Sequence, residues 1–228
     1  MAIKFAEEFP KKLNRVDVFP TPIWSAQAPE HVKQLNKYSD KYIVASKKHF
    51  KPIIDKRNKE YGNKKDMGHV FHSTTLIQDE NFMAFHQYVT LTSRNLLIEM
   101  GYDLSKFDVT LTESWVQEFA KAGGGHHTLH SHWNGHISGF YFLNSSECTS
   151  KPVFHDPRPG HAMNGLPLKS TTEVTYGSPE IHYKTKPGTL IFFPSYLPHL
   201  FTVDVGYEPF RFIHWNVQAI PKPNKIGV

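Results

Sequence analysis

The spacing of hydrophobic residues changes about halfway along the chain. Residues 30–50 and 79–100 carry apolar side chains three and four positions apart, which predicts two helices. The second segment opens with acidic residues and is followed by Gly101, the residue type that most often ends a helix. From residue 108 onward apolar and polar residues tend to alternate, which is typical of strands.

The strand-like segments of the second half are short, rich in β-branched and aromatic residues, and separated by Gly and Pro. They comprise residues 108–120, 137–144, 189–194, 200–203 and 210–220, after another candidate at 16–24. Strands of this length and spacing predict an antiparallel sandwich or barrel. The fold class is therefore mainly β, with the N-terminal helices packed on one outer face.

No repeat, low-complexity tract or linker divides the sequence. We therefore expect one domain over residues 1–228. Within it, residues 1–107 form a mostly helical support region, 108–220 the β core and 221–228 a tail.

Composition and the single cysteine bear on the location of the protein. A hydrophobic fraction of 39% fits a folded chain with a core. The first residues lack the apolar segment of a secretory signal, and no apolar run approaches the roughly 18 residues of a membrane span. Because Cys148 is the only cysteine, no internal disulfide can form. We expect a cytoplasmic protein with no membrane partner.

Positive charge is concentrated at the N-terminal end. Residues 1–66 contain 15 basic and 8 acidic side chains, whereas residues 67–228 contain 11 and 13. A basic segment can mark a nucleic-acid partner. Acids are interspersed among these lysines, however, and no nucleic-acid-binding motif accompanies them. We therefore interpret the segment as a solvated helix face and expect no nucleic-acid partner.

Candidate chemistry is concentrated in "GGGHHTLHSHWNGHISGFYFLN", where five of the 15 histidines lie within eleven residues. His130 and His132 are two positions apart, so an extended chain would point both to one face. Neutral imidazoles there could bind iron, zinc, copper or nickel. His126 and His127 are adjacent and cannot both join the site, and His136 follows an Asn-Gly turn.

A third ligand must come from elsewhere in the chain. Most other histidines are isolated, and we expect them to be surface or structural residues; these include His155, His161, His182 and His214. His199, in "PGTLIFFPSYLPHLF", follows a buried strand and a proline-containing loop. Arg211 follows in the apolar segment "FRFIHWN", where a guanidinium needs an anion. Either a bound carboxylate or a salt bridge to an internal Asp or Glu would supply one.

These motifs, together with "VFPTPIW" and "VFHDPRP", resemble the 2-oxoglutarate/Fe(II) oxygenases. The likeness is greatest to bacterial and phage members near the prolyl hydroxylases. It implies a double-stranded β-helix, a cupin-like jelly roll, that holds Fe(II) at one open end. It also implies that His130 and His199 match the two metal-binding histidines. Arg211 then matches the arginine that grips the far carboxylate of 2-oxoglutarate, and Tyr141 a tyrosine that assists it.

The resemblance fails at one position, because His132 stands where the family has an acidic ligand. His132 could bind the metal, giving three neutral ligands. It could instead stand aside, or Asp156 of "FHDPRP" could supply the acid from another strand. We expect His132 to bind, because residue type and period agree. Asp156 reads as part of a turn paired with its neighbouring arginine.

The expected function is that of an Fe(II)- and 2-oxoglutarate-dependent dioxygenase. It would use O2 and convert 2-oxoglutarate to succinate while hydroxylating a substrate that the sequence does not identify. The alternatives are a three-histidine zinc hydratase or hydrolase and a non-catalytic metal-binding β-sandwich. A buried carboxylate clamp at Arg211 argues against the hydratase. A homodimer is among the assemblies that the sequence allows.

Overall fold

The computed structural model describes residues 12–160 and 165–223 of the 228. The opening segment 1–11, His161 and residues 224–228 of the predicted tail lie outside the described residues. Two helices are present in the described chain, α1 (Val32–Tyr61) and α2 (Met83–Glu99). Single turns of 3-10 helix, Pro29–His31 and Glu80–Phe82, precede them. None of the described helices is long and apolar enough to cross a membrane.

Helix α1 extends farther than the pattern predicted. It passes through Pro52 and ends at Tyr61, where Gly62 adopts a left-handed conformation with φ of 69°. Its buried side chains, spaced three and four residues apart over most of its length, are Leu35, Ser39, Ile43, Ser46 and Ile54. The basic segment therefore lies largely on the exposed side of a packed helix.

The strands form two antiparallel sheets. The six-stranded sheet contains, in order, β1 (Trp24–Gln27), β8 (Thr189–Pro194), β5 (Ile137–Asn144), β10 (Arg211–Pro221), β3 (Phe107–Phe119) and β2 (Val70–His72). The four-stranded sheet contains β4 (His127–His130), β9 (His199–Phe201), β6 (Pro152–His155) and β7 (Glu180–His182). The prediction of a mainly β, jelly-roll fold with N-terminal helices is confirmed.

The predicted and observed strands differ mostly outside the core. Strands β5 and β8 have the predicted bounds, and β3 and β10 differ by one residue at their ends. The candidate at 16–24 is displaced, since β1 begins only at Trp24. Strands β6 and β7 were not predicted. The N-terminal region supplies edge strands β1 and β2 as well as helices.

The two faces of the six-stranded sheet have separate cores. We call the side toward the four-stranded sheet the inner face and the side toward the helices the outer face. The inner face is mostly phenylalanine: Phe119, Phe140, Phe142, Phe193, Phe210 and Phe212. The outer face packs on α1 and α2 and includes Val116, Tyr141, Leu190, Ile213 and Trp215. Alternation along each strand decides which core a side chain joins.

Gly139 fits a close approach on the outer face. A Cβ there would overlap the indole ring of Trp215 and the carbonyl oxygen of Ile191. The glycine of "ISGFYFLN" therefore lets the Trp215 ring pack closely against the backbone of β5.

Candidate metal centre

Three histidines meet at one end of the sandwich. His130 ends β4 and pairs in register with His199, the first residue of β9. His132 lies two residues beyond β4, where its backbone N–H donates to the Ser195 carbonyl at 2.9 Å. One ring nitrogen from each of the three lies within 4.8 Å of the others. The structure thus brings together the three histidines predicted as metal ligands.

Backbone carbonyls orient two of these rings. His130 Nδ1 donates to the Thr128 carbonyl oxygen at 2.7 Å. His199 Nδ1 donates in the same way to Leu197 at 2.9 Å. A carbonyl can only accept, so both rings carry their proton on Nδ1 and keep the Nε2 lone pair free. This arrangement is the usual one for histidines that bind metals through Nε2.

The His132 ring has a weaker side-chain contact than the other two rings, and an acidic residue is hydrogen-bonded to the partner in that contact. The side-chain nitrogen of Asn216 lies 3.4 Å from His132 Nδ1, which is long for a hydrogen bond. The same nitrogen donates to Glu113 Oε2 at 2.5 Å. Glu113 is therefore linked to the three-histidine group through Asn216, one hydrogen bond removed from the ring.

Burial keeps the imidazoles of His132 and His199 neutral. Desolvation, with a smaller contribution from His130, lowers the pKa of His132 to about 4. Burial lowers the pKa of His199 to about 3, because it outweighs the stabilising Leu197 hydrogen bond. Both rings are therefore in the neutral form at pH 7, and this form binds a metal.

The donor set fits a divalent transition metal. The Nε2 atoms of His132 and His199 are buried and have no hydrogen-bond partner among the described residues. Converging, unpartnered imidazole nitrogens are costly to bury unless a ligand satisfies them. Neutral imidazole suits Fe(II) and zinc alike.

The cavity beside the histidines contains residues that the sequence analysis missed. Its volume is about 20 Å³, roughly that of one water molecule. Its wall also includes Trp115, Gln117, His127, Phe140, Phe212 and His214. None of the described residues that line it is a lysine or an arginine.

Two of these residues are histidines that the sequence analysis set aside. His127 contacts Gln117 Oε1 through Nε2 at 2.6 Å. His214 is 2% exposed and its ring lies 4.7 Å from that of His132. No signal in the sequence identified His214, because a lone histidine in a segment that is apolar on both faces shows no direction.

Arg211 occupies a different place from the one predicted. Its side chain lies on the outer face, where Nε donates to Glu118 at 2.8 Å. Its Nη1 donates to Asp40 at 2.7 Å and to Asn36 Oδ1 at 2.6 Å. The internal salt bridge, left open as the alternative, is what the structure contains. The arrangement does not support a 2-oxoglutarate clamp at Arg211, because the pleat of β10 points it away from the cavity.

Tyr141 also faces outward, between the inward-facing Phe140 and Phe142. Its hydroxyl donates to the Ala28 carbonyl at 2.5 Å, and its ring packs on Phe85. Burial raises its pKa to about 12. A role beside 2-oxoglutarate in the histidine cavity is therefore not supported for Tyr141 either.

The remaining candidates lie outside the three-histidine group. Asp156 accepts from Arg158 at 2.6 Å in the expected turn and is not part of the group. His126 contacts the Gly124 carbonyl, and His136 Nδ1 accepts from the Ala219 backbone. The geometry thus favours His132 over Asp156 as the third ligand.

Comparison with known proteins bears on the family. Residues 113–206 match the family model described as "Putative 2OG-Fe(II) oxygenase". This segment contains the three histidines and ends before β10. No curated protein sequence matches the chain.

Solved structures share the fold at low identity. The epimerase SnoN from nogalamycin biosynthesis, described as non-heme and alpha-ketoglutarate-dependent, has a TM-score of 0.54 and 10% identity; the match covers 91% of this chain and 81% of SnoN. SnoN in complex with Fe3+, alpha ketoglutarate and nogalamycin RO has a TM-score of 0.50 and 10% identity, with coverage of 90% and 83%.

AviO1 from Streptomyces viridochromogenes Tue57 has a TM-score of 0.51 and 11% identity, and the match covers 90% of this chain and 91% of AviO1. At these identities the likenesses show the fold. Together with the family match over residues 113–206, they support membership of the chain in the 2-oxoglutarate–Fe(II) oxygenase superfamily.

Proposed function

We propose that this protein binds Fe(II) through His130, His132 and His199 and oxidises a substrate with 2-oxoglutarate and O2, most simply by hydroxylation. Fe(II) and 2-oxoglutarate are the cofactors of the superfamily. The observation that carries the proposal is the convergence of three ring nitrogens within 4.8 Å at the end of a jelly roll.

The chain contributes orientation and exclusion of water. When bound, Fe(II) and 2-oxoglutarate supply the activation of O2, which no side chain can perform. Thr128 and Leu197 fix the rings of His130 and His199 through their carbonyls. Phenylalanines such as Phe140 line the cavity and limit the access of water to it.

A second cleft adjoins His132 on the solvent side, and we propose that the substrate approaches there. It has a volume of about 120 Å³ and is bounded by Trp133, Tyr196 and Tyr102. Trp133 is 93% exposed, although tryptophan is highly buried on average. Asn134, which follows Trp133, donates to Glu113 at 3.4 Å and is partly buried.

Arg211 does not distinguish the oxygenase from the zinc hydratase, because its side chain lies on the outer face and not in the histidine cavity. The match of residues 113–206 to the oxygenase family model favours the oxygenase.

An anaerobic titration tests the proposal. Metal-free protein is loaded with Fe(II) and titrated with 2-oxoglutarate while the visible charge-transfer absorption is followed. We expect one Fe(II) per chain and an absorption band that depends on both components. Tight zinc binding with no interaction between Fe(II) and 2-oxoglutarate would refute the oxygenase proposal and favour the hydratase.

We also propose that the protein acts in the cytoplasm of a bacterium or an infected host, and without nucleic acid. The basic segment supports the second point, because Lys47 pairs with Glu118 and Lys51 with Asp55. Genuine phosphate contacts would make DNA or RNA affinity fall steeply with salt. We expect no such binding.

A further inference from the structure

Two buried donors face the histidine cavity without an acceptor. His214 on β10 has no hydrogen-bond partner at either ring nitrogen. The indole N–H of Trp115 on β3 also has none. A neutral imidazole always carries one N–H. The cavity wall therefore presents two N–H groups that no described residue satisfies.

The two donors belong to one row of rings. The Trp115 ring lies 4.5 Å from the His214 ring. The His214 ring lies 4.7 Å from His132, and His132 is 5.2 Å from His199. A molecule attached to a metal at the three histidines would therefore have these donors beside it.

Convergence distinguishes this pair from isolated cases. His69 Nε2 and Trp215 Nε1 are also buried without a partner. His69 packs between Phe50 and Phe71, away from the cavity, and Trp215 lies on the outer face against Phe85. Only at the histidine cavity do two unpartnered N–H groups among the described residues border a common space with candidate metal ligands.

The charges of the cavity suit a dianion bound by uncharged donors. No described lysine or arginine lines it, and Arg211 is committed to Glu118 and Asp40. Fe(II) held by three neutral imidazoles keeps its two positive charges. 2-Oxoglutarate carries two negative charges at neutral pH. The metal alone therefore neutralises the co-substrate, and an additional cation would leave a buried excess of charge.

We propose that His214 and Trp115 bind the far carboxylate of 2-oxoglutarate and replace a cationic clamp. This inference rests on the proposed function. The same charge balance explains two features. A neutral ligand at His132 leaves Fe(II) with two positive charges, and these neutralise 2-oxoglutarate without a cation among the described residues of the cavity wall. The space beside the donors has a volume of about 20 Å³, which is room for about one water, so the surrounding side chains must shift to admit the co-substrate.

The burial of His214 agrees with this role. Its side chain is 2% exposed, so its N–H would meet the carboxylate away from bulk water. Glu113 does not line the cavity and is hydrogen-bonded to Asn216 and Asn134.

The test compares matched variants in the anaerobic titration. His214→Phe and Trp115→Phe each remove ring nitrogens while keeping an aromatic side chain. Each should weaken 2-oxoglutarate binding by roughly tenfold to 100-fold, the effect of one hydrogen bond to a charged group. Fe(II) affinity, measured separately by calorimetry, should stay unchanged. The controls are His69→Phe and Trp215→Phe, which remove the same unpartnered nitrogens elsewhere and should not alter 2-oxoglutarate affinity.

A second ligand identifies which group the donors bind. 2-Oxobutyrate has the same metal-binding keto acid but no far carboxylate. His214→Phe should leave its affinity unchanged. Equal weakening of both ligands would show that the variant disturbs the metal end and would overturn the assignment.

The charge balance is tested at His132. His132→Asp adds a negative charge and should weaken 2-oxoglutarate more than the neutral His132→Asn does at equal Fe(II) occupancy. Equal affinity in these two variants would overturn the charge balance.

The two proposals fail in different ways. A wild-type protein that binds Fe(II) but not 2-oxoglutarate would refute the proposed function, and this inference with it. Wild-type binding that survives both cavity variants unchanged would overturn this inference alone and assign His214 and Trp115 to a buried water.

Discussion

The two faces of the six-stranded sheet treat their polar groups in opposite ways. On the outer face Arg211, Glu118 and Tyr141 all have hydrogen-bond partners within the protein. On the inner face His132, His199 and His214 have ring nitrogens with none. The polar groups of the outer face therefore make structural contacts within the protein. The unpartnered nitrogens of the inner face are suited to bind a ligand. Residues adjacent in sequence therefore serve separate purposes.

The separation follows from the pleat. Arg211 and Phe212 are neighbours, but one joins α1 to the sheet and the other forms the cavity floor. Tyr141 and Phe140 are divided in the same way. The most informative tests change a residue on one face of the sheet and measure a property that depends on the other face.

The largest expected effect is on the outer face. Arg211→Ala leaves Glu118, which is 4% exposed, with Lys47 as its one charged partner in the described part of the chain. Breaking a buried pair in this way should lower the free energy of unfolding by about 3–5 kcal/mol, as measured by urea denaturation. The 2-oxoglutarate affinity of the protein that remains folded should not change.

A paired change provides the control. Replacing Arg211 and Glu118 together by methionine should recover part of the stability, because the buried Glu118 carboxylate is removed with its partner and the charges that remain, Lys47 and Asp40, are more exposed. Normal stability with lost 2-oxoglutarate binding in Arg211→Ala would instead restore the clamp predicted from the sequence.

Acid should destabilise the metal-free protein through the inner face. His199 has a folded-state pKa of about 3 and an unfolded-state pKa near 6.5. The unfolded chain therefore binds more protons throughout this window, and stability falls as the pH drops below about 6.5. By pH 4 the lowered pKa of His199 alone should reduce the free energy of unfolding by about 3 kcal/mol.

Unfolding free energies measured between pH 7 and pH 4 check this expectation. His214→Phe removes another buried imidazole with a lowered pKa, so its stability should depend less on pH than that of the wild type. A variant with the full wild-type slope would argue against a neutral, buried His214.

Metal affinity should depend on His132 and not on its neighbours. His132→Ala should weaken Fe(II) binding by at least about tenfold, as calorimetry would measure. His126→Ala and His136→Ala should change it little, since neither belongs to the group. His132→Asp restores a 2-His-1-carboxylate set and should retain iron. Loss of iron in Asp156→Ala, with retention in His132→Ala, would favour Asp156 as the ligand.

The smallest effect is expected at Tyr141. Tyr141→Phe removes the hydrogen bond to Ala28 and should cost about 1 kcal/mol of stability. Keto-acid affinity should be unchanged, because the hydroxyl lies on the opposite face from the cavity. A weakened 2-oxoglutarate titration at normal stability would contradict the division between the faces.

The strands and three histidines were predictable because local signals specify them. The β-branched and aromatic composition of 137–144 and the apolar run 189–194 identify β5 and β8. His130 and His132 are close in sequence, and His199 follows a recognisable turn-strand-loop pattern. Register in the four-stranded sheet then places His199 opposite His130.

The direction of Arg211 could not be predicted in the same way. The segment "FRFIHWN" is apolar on both faces, because helices cover one side and a second sheet the other. Alternation then gives no inner and outer side. A register shift between Arg211 and Phe212 in the pairing with β5 adds to the ambiguity. His214 was missed for the same reason, since a lone histidine in an apolar strand shows no direction.

The position of β4 has a consequence for how the metal would leave. Strand β10 is paired along both sides, with β3 and β5, whereas β4 is a four-residue edge strand with an irregular register. Amide hydrogen exchange should therefore be slowest around His214 and much faster around His130, because edge strands open without global unfolding. Release of iron would then proceed by local opening of β4 while the rest of the sandwich stays closed, and its rate would track the exchange of the β4 amides.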